Sequence, residues 1–196
     1  LYFWYGTEKE VPWPGTVLVD FRKSITGCVQ FDLEGNLYVG CRAGGPSKIP
    51  PVFKDDPFAS QKDAYKGCAR IVKYAPTGDM KSGNLFPKPL KAPIKAYDVN
   101  FGAFQGGNGP RFSVDEYGRI CYPITLEPSI RLMDNEGNEI LRFGTWGNRD
   151  SMGGLEGDLV PVKGIPMAYP NSVDVTDDYV YVADTVNLRV LRLKKT

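Results

Sequence analysis

Histidine is absent from the 196-residue chain, and its absence removes most of the side-chain chemistry used by hydrolases and zinc enzymes. Without an imidazole there is no Ser-His-Asp or Cys-His nucleophilic pair, no His-ligated zinc site and no Cys-x-x-Cys-His haem attachment. The sequence therefore predicts no catalytic residue, no metal ligand and no cofactor. The groups that remain are four cysteines and a set of acidic and amide side chains at recurring positions.

The recurring acidic and amide residues are better explained by structure than by catalysis. They stand at the ends of short apolar runs and in turns, where a carboxylate can accept hydrogen bonds from backbone N–H groups. The acidic group at 174–178 has the composition of a solvated turn. The residues concerned are Asp32, Asp115, Asp174, Asp184 and Asn187.

Three copies of one strand pattern must position these residues. The last copy, 170–193, has an alternating segment, an acidic turn, the apolar run 180–183, a polar tetrad and a second alternating segment. Earlier copies begin near residues 25 and 112. The third strands of these copies are predicted at Ala69–Tyr74 and Ser129–Met133, followed by turns at 76–79 and 135–138, and the middle copy adds a fourth strand, Glu139–Phe143. Such a unit gains a core only by stacking on copies of itself.

The last copy resembles a blade of an NHL-repeat β-propeller. Its second strand ends in Val182-Ala183-Asp184, its turn contains Asn187, and Arg189 opens an aliphatic strand. Segments 6–16, 110–119 and 135–144 resemble the C-terminal propeller segments of large, secreted, uncharacterised proteins of planctomycete-type bacteria. The resemblance implies an all-β propeller of four-stranded antiparallel blades, with Asp184, Asn187 and Arg189 as structural residues of the blade turn.

The same resemblance predicts an incomplete ring. Residues 25–196 would form three blades, and residues 1–24 an outer strand of a preceding blade with its connection, since 1–7 is similar to 141–147. Propellers typically contain four to eight blades, so three cannot close. We therefore expect the partner to be protein, either the remaining blades of a parent chain or a second chain that completes the propeller.

An insertion separates the second and third strands of the first copy. The spacing from Leu37 to Ile71 is 34 residues, against 10 from Ile120 to Ile130, which places the insertion within 42–67. The alignment puts Cys41 where Asp184 stands and Cys68 where Asn187 stands.

Two thiols at these positions could pair across the base of the insertion. A disulfide there would contribute about 3.5 kcal/mol in an oxidising compartment. The alternative is two buried free thiols. Cys28 and Cys121 fall in predicted inner strands of different blades and are expected to pack as hydrophobic residues.

Connection lengths suggest where recognition takes place. In a four-stranded meander, the second-to-third connection and the connection to the next blade emerge at one face, and the other turns, predicted here to be short, emerge at the opposite face. Long loops on a rigid scaffold are where binding usually resides. The candidate residues on the long-loop face are Arg42, Asp55, Asp56, Trp146, Arg149 and Asp150.

Composition limits the partners. A net charge of +1 argues against nucleic acid, and no apolar run is long enough to span a membrane. An RNA-binding role, as in some NHL propellers, is disfavoured because those use strongly basic faces. Together with the resemblance, this predicts an extracytoplasmic (periplasmic or secreted), non-catalytic protein-interaction or structural module. The alternative is a fragment of a lactonase-like, metal-dependent six-bladed propeller enzyme.

Overall fold

A computed structural model describes residues 26–42, 69–79, 92–99, 111–125, 127–151 and 162–195, together with residues 81, 85, 86, 88 and 90. The regular structure of these residues consists of strands and one 3-10 turn at Arg149–Ser151, joined by turns and loops. The predicted outer strand within 1–24 and the insertion beyond Arg42 lie outside the described residues.

The strands are arranged in three antiparallel sheets and one short parallel pair. Sheet one has the order β1 (Thr26–Phe31), β2 (Leu37–Arg42), β3 (Ala69–Tyr74) and β4 (Lys95–Asp98). Sheet two has the order β5 (Ser113–Val114), β6 (Ile120–Ile124), β7 (Ser129–Met133) and β8 (Glu139–Phe143). Sheet three contains β11 (Pro170–Val175), β12 (Tyr179–Asp184) and β13 (Arg189–Lys194), and β9 (Thr145–Trp146) pairs in parallel with β10 (Pro166–Met167). The predicted all-β class, built from four-stranded antiparallel sheets, is confirmed.

The second and third strands of the three sheets share one register. Counting from the residue after the one whose carbonyl closes the first turn (Asn36, Arg119 or Tyr179) gives a set of equivalent positions in each sheet. The first pairs are Leu37 with Tyr74, Ile120 with Met133, and Val180 with Leu193. Three pairs further along are Gly40 with Ile71, Pro123 with Ile130, and Ala183 with Val190. The sheets are therefore copies of one unit, as the spacing predicts.

A turn of the form Asp-x-x-Gly joins strands in sheets one and two. In the Asp115 turn the carboxylate Oδ1 accepts the N–H groups of Tyr117 and Arg119, and the N–H of Gly118 donates to the carbonyl of Asp115. Gly118 has φ +71°, a left-handed conformation that favours glycine. The turns that begin at Asp32 and Asp134 repeat these bonds.

The sheets stack face to face, so sheet two is buried on both sides. Side chains alternate along a strand, and in β6 Ile120 and Tyr122 pack toward sheet one while Cys121 packs toward sheet three. All five residues of β6 are buried. Between sheets one and two the cluster includes Tyr38, Ile71, Tyr97, Ile120, Tyr122 and Ile124, and between sheets two and three it includes Cys121, Ile130, Met167, Val173 and Val182.

One strand and one connection differ from the sequence prediction. Residues 95–98, expected to lie in an irregular stretch, form β4 against β3. The connection from β3 to β4 therefore runs from residue 75 to residue 94, so the prediction that all third-to-fourth turns are short is wrong in sheet one. In this connection Phe86 and Leu90 pack against the outer face of sheet one, over the cluster that contains Val39 and Val72.

The buried position in sheet two provides a test of the stacking. Ile130 is 0% exposed and lies between sheets two and three. Ile130→Ala is expected to lower the free energy of unfolding by about 2–5 kcal/mol, because it removes buried methyl groups and leaves a cavity. The matched change Ile140→Ala, in a side chain that is 52% exposed, should cost less than about 1 kcal/mol. Urea unfolding followed by circular dichroism measures both, and equal losses would contradict the stacking.

Candidate functional site

A buried carboxylate, Asp184, ties the end of β12 to the segment that enters sheet three. Its side chain is 0% exposed. Oδ1 accepts the backbone N–H groups of Ala168 and Tyr169 at 3.0 and 2.9 Å. Oδ2 accepts Nδ2 of Asn187 at 2.6 Å and Nε of Arg189 at 3.2 Å.

Asn187 and Arg189 extend this network to two further backbone carbonyls. Asn187 Nδ2 also donates to the carbonyl of Gly147 at 2.9 Å, and the Arg189 guanidinium donates to the carbonyl of Pro166. The three residues predicted for the blade turn are thus brought together. Because both oxygens of Asp184 are occupied by N–H donors, the arrangement clamps β9, β10 and β12 together and holds no free base.

The clamp belongs to sheet three alone. The positions equivalent to Asp184 are Cys41 in sheet one and Ile124 in sheet two, since the pairs are Asp184 with Arg189, Cys41 with Arg70, and Ile124 with Ser129. The register therefore supports the sequence alignment that placed Cys41 at the Asp184 position.

Cys28, Cys41 and Cys121 form no disulfide within the described residues. Cys41 is 6% exposed, and burial raises the pKa of its thiol although the charge of Arg70 acts in the opposite direction. Its predicted partner, Cys68, lies outside the described residues, so the disulfide stays a prediction. Cys121 is 2% exposed, and burial raises the pKa of its thiol to about 12. Half-buried Cys28 directs its Sγ to the carbonyl of Phe112 at 3.5 Å.

The predicted recognition face is described only in part. Trp146 in β9 is 64% exposed, and Asp150 is exposed in the 3-10 turn, where Asn148 Oδ1 accepts its backbone N–H at 3.0 Å. Both lie in the connection that leads from sheet two to sheet three. Arg42 ends β2 and Arg149 begins the 3-10 turn, with only their backbones described. Asp55 and Asp56 lie outside the described residues.

A second polar cluster, centred on Asp32, was not predicted from the sequence. Asp32 Oδ2 lies 3.1 Å from Lys73 Nζ and accepts the Tyr38 hydroxyl at 3.1 Å, and Asn36 Nδ2 donates to both carboxylate oxygens. Burial acts to raise the pKa of Asp32, but the hydrogen bonds from Asn36 and Lys73 outweigh it and the pKa is lowered. Lys73 also lies 5.0 Å from the centre of the Tyr38 ring. The indication of this cluster in the sequence was Lys73, a charged residue at a position of β3 that points inward.

The face of sheet three that points away from sheet two is uncovered. Val190 is 70% exposed, whereas Ile71 and Ile130 at the equivalent positions are both 0% exposed. We call this surface the open face; it consists of Tyr179, Tyr181, Ala183, Val190, Arg192 and Lys194, which alternate with the residues packed on sheet two. The sequence did not predict the open face, because a valine in an alternating strand is typical of a buried position.

The described residues contain neither a metal-binding cluster nor a membrane-spanning helix. Within the part of the chain that is described, no group of three or more His, Cys, Asp or Glu side chains is arranged to hold a metal ion. In the same part, no helix has the length and apolar character needed to cross a bilayer.

Comparison of the sequence with models of known protein families gave no match, and a search of curated proteins also found none.

The Asp184 clamp generates a stability prediction. Asp184→Asn is expected to lower the free energy of unfolding by about 3 kcal/mol, because Arg189 would keep its charge in a largely buried position without a counterion. Arg189 is 17% exposed at the side chain. The control Asp178→Asn, in an exposed turn, should change stability by less than about 0.5 kcal/mol. Chemical denaturation compares the two, and similar losses would show that the clamp contributes little.

The lowered pKa of Asp32 makes stability depend on pH. Because its folded-state pKa lies below its unfolded value of about 3.9, the stability that Asp32 provides is complete above that value. It is lost as the pH falls through the folded-state pKa. Asp32→Asn should therefore be less stable than the natural chain at neutral pH and show a shallower loss between neutral and acidic pH. Urea midpoints measured across this range test the claim, and parallel curves for the two proteins would refute it.

Proposed function

We propose that this chain is a segment of an NHL-like β-propeller that acts as a non-catalytic protein-interaction or structural module within a larger exported protein or assembly. The single observation that carries the proposal is the contrast between Val190, at 70% exposure, and the buried isoleucines at equivalent positions of sheets one and two. The same face is buried in sheets one and two and exposed in sheet three. Sheet three can therefore accept a further sheet on that face.

The stacking supports a blade-like role. Sheet two turns one face to sheet one and the other to sheet three, and the second and third strands keep the same register in all three sheets. The segments that enter sheets two and three run parallel where Arg111 bridges Ser172. Parallel innermost strands in successive sheets are what a radial arrangement of blades requires.

The state of the carboxylates supports a non-catalytic role. Asp32, Asp115, Asp134 and Asp184 all accept hydrogen bonds from backbone N–H groups, and each is also bonded to a neighbouring side chain. Groups satisfied in this way stabilise turns and strand ends.

Export is the part of the proposal that comes from sequence. It follows from the resemblance to secreted propeller proteins and from the predicted pairing of Cys41 with Cys68, which an oxidising compartment would sustain. The proposed location is extracytoplasmic.

Site-specific photocrosslinking tests whether the open face binds protein. The full chain with p-benzoylphenylalanine in place of Val190 is expressed in its source cells and irradiated, and Ile140 in β8 receives the same replacement as the control. We expect a covalent link from position 190 to one defined segment, mapped by mass spectrometry in this or another polypeptide of the exported fraction, and none from position 140. A chain that gives no adduct at position 190, or the same adducts at both positions, would overturn the proposal.

A further inference from the structure

We propose that the open face binds a partner β-sheet that presents aliphatic side chains to Val190 and carboxylates to Arg192 and Lys194. This inference rests on the proposed function and adds the chemistry of the partner. It follows from what covers the same face elsewhere in the molecule and from charges that the open face leaves uncompensated.

The faces of sheets one and two that are equivalent to the open face are both covered. Ile71 of sheet one is buried under Ile120, Tyr122 and Ile124 of sheet two. Ile130 of sheet two is buried under Val173 and Val182 of sheet three. In both cases the cover is the alternating apolar face of a neighbouring sheet. Val190 occupies the same pairing position, so a sheet with aliphatic residues at alternate positions is the cover that fits it.

The positive charges of Arg192 and Lys194 beside Val190 define a second requirement for the partner sheet. Arg192 occupies the position equivalent to Lys73, since Tyr181 pairs with Arg192 as Tyr38 pairs with Lys73. Lys73 forms an ion pair with Asp32 at 3.1 Å. Sheet three has Thr176 where sheet one has Asp32, because the two turns close on Tyr179 and Asn36 respectively.

Arg192 therefore has an aromatic neighbour but no carboxylate. Its guanidinium carbon lies 5.1 Å from the centre of the Tyr179 ring. Among the described residues, neither Arg192 nor Lys194 forms an ion pair. A sheet that packs over Val190 would remove these cations from water, and a buried charge is costly unless a partner of opposite charge accompanies it. The partner must supply that charge.

A second copy of the chain does not meet these requirements. Two open faces packed on each other would supply cations and no carboxylate, since Arg192 and Lys194 are the charged residues of that face. Head-to-tail packing of the open face on the outer face of sheet one would meet Phe86 and Leu90, which already pack over Val39 and Val72. Neither face of a second copy therefore fits the open face.

Designed hairpins can serve as probes of the open face. Two fluorescein-labelled, disulfide-cyclised β-hairpin peptides would share a face of alternating valines, one carrying two glutamates on that face and the other two lysines. Fluorescence anisotropy is measured on titration with the full chain. We expect the glutamate hairpin to bind at least about tenfold more tightly than the lysine hairpin. The difference should shrink in high salt because exposed charges are screened.

Four variants locate the interaction and its charge preference. Val190→Asp should weaken the glutamate hairpin by about tenfold or more, because it places a carboxylate at the apolar centre of the face. Arg192→Gln should reduce the preference for glutamate, and Arg192→Glu should reverse it. Ile140→Asp, on an exposed strand outside the face, should leave binding unchanged, and circular dichroism and thermal melting confirm that all four variants are folded.

The results separate this inference from the proposed function. Equal binding of the two hairpins, binding of neither, or equal losses in Val190→Asp and Ile140→Asp would overturn the inference. A defined crosslink at position 190 together with hairpins that show no charge preference would keep the interaction module and reject the acidic partner. Absence of both would reject the two together.

Discussion

Side chains alternate between the two faces of a β-strand, so every sheet in this molecule presents two surfaces that need cover. Sheet two shows the requirement met on both sides, since its central strand Ile120–Ile124 is buried along its whole length. The interior is therefore a series of layers between sheets, each made from residues of two neighbours. Burial of those layers is the favourable term on which the other features depend, because turns and ion pairs contribute less.

Polar groups close to these layers are arranged so that they do not oppose burial. Asp32, Asp115 and Asp134 each fold the turn around their own carboxylate, accepting two backbone N–H groups that would otherwise lack partners. Asp184 does the same across two chain segments and adds Arg189 as a counterion. In each case the charge is satisfied within hydrogen-bond distance, which lets the carboxylate lie at the edge of an apolar layer.

Much of the sheet pattern could be predicted because its signals are local. The strands Ala69–Tyr74, Ser129–Met133 and Glu139–Phe143 alternate in polarity and are followed or preceded by turn residues within a few positions. The strand β4 could not be predicted in this way. Its one large buried side chain, Tyr97, is held by pairing with Ile71 and by donating its hydroxyl proton to the carbonyl of Asn135, and both contacts are distant in sequence. The ion pair between Asp32 and Lys73 joins residues in different strands for the same reason. The clamp around Asp184 was predicted as a set of residues, but its bonds to Ala168, Tyr169 and Gly147 depend on the path of another segment.

The outer faces of sheets one and three differ in how they are covered, and this difference has a physical consequence. Sheet one uses its own connection, through Phe86 and Leu90. Sheet three leaves Val190 exposed, and Arg192 and Lys194 follow it on the same face of β13. Charged residues on an exposed strand oppose pairing with unrelated strands, because a partner without anions would bury cations uncompensated. In the proposed interaction, the same residues protect the face while it is uncovered and select a cover that carries carboxylates. Protection and selectivity are thus two results of one arrangement, in which a valine at a core position lies beside cations that no carboxylate of the described residues neutralises.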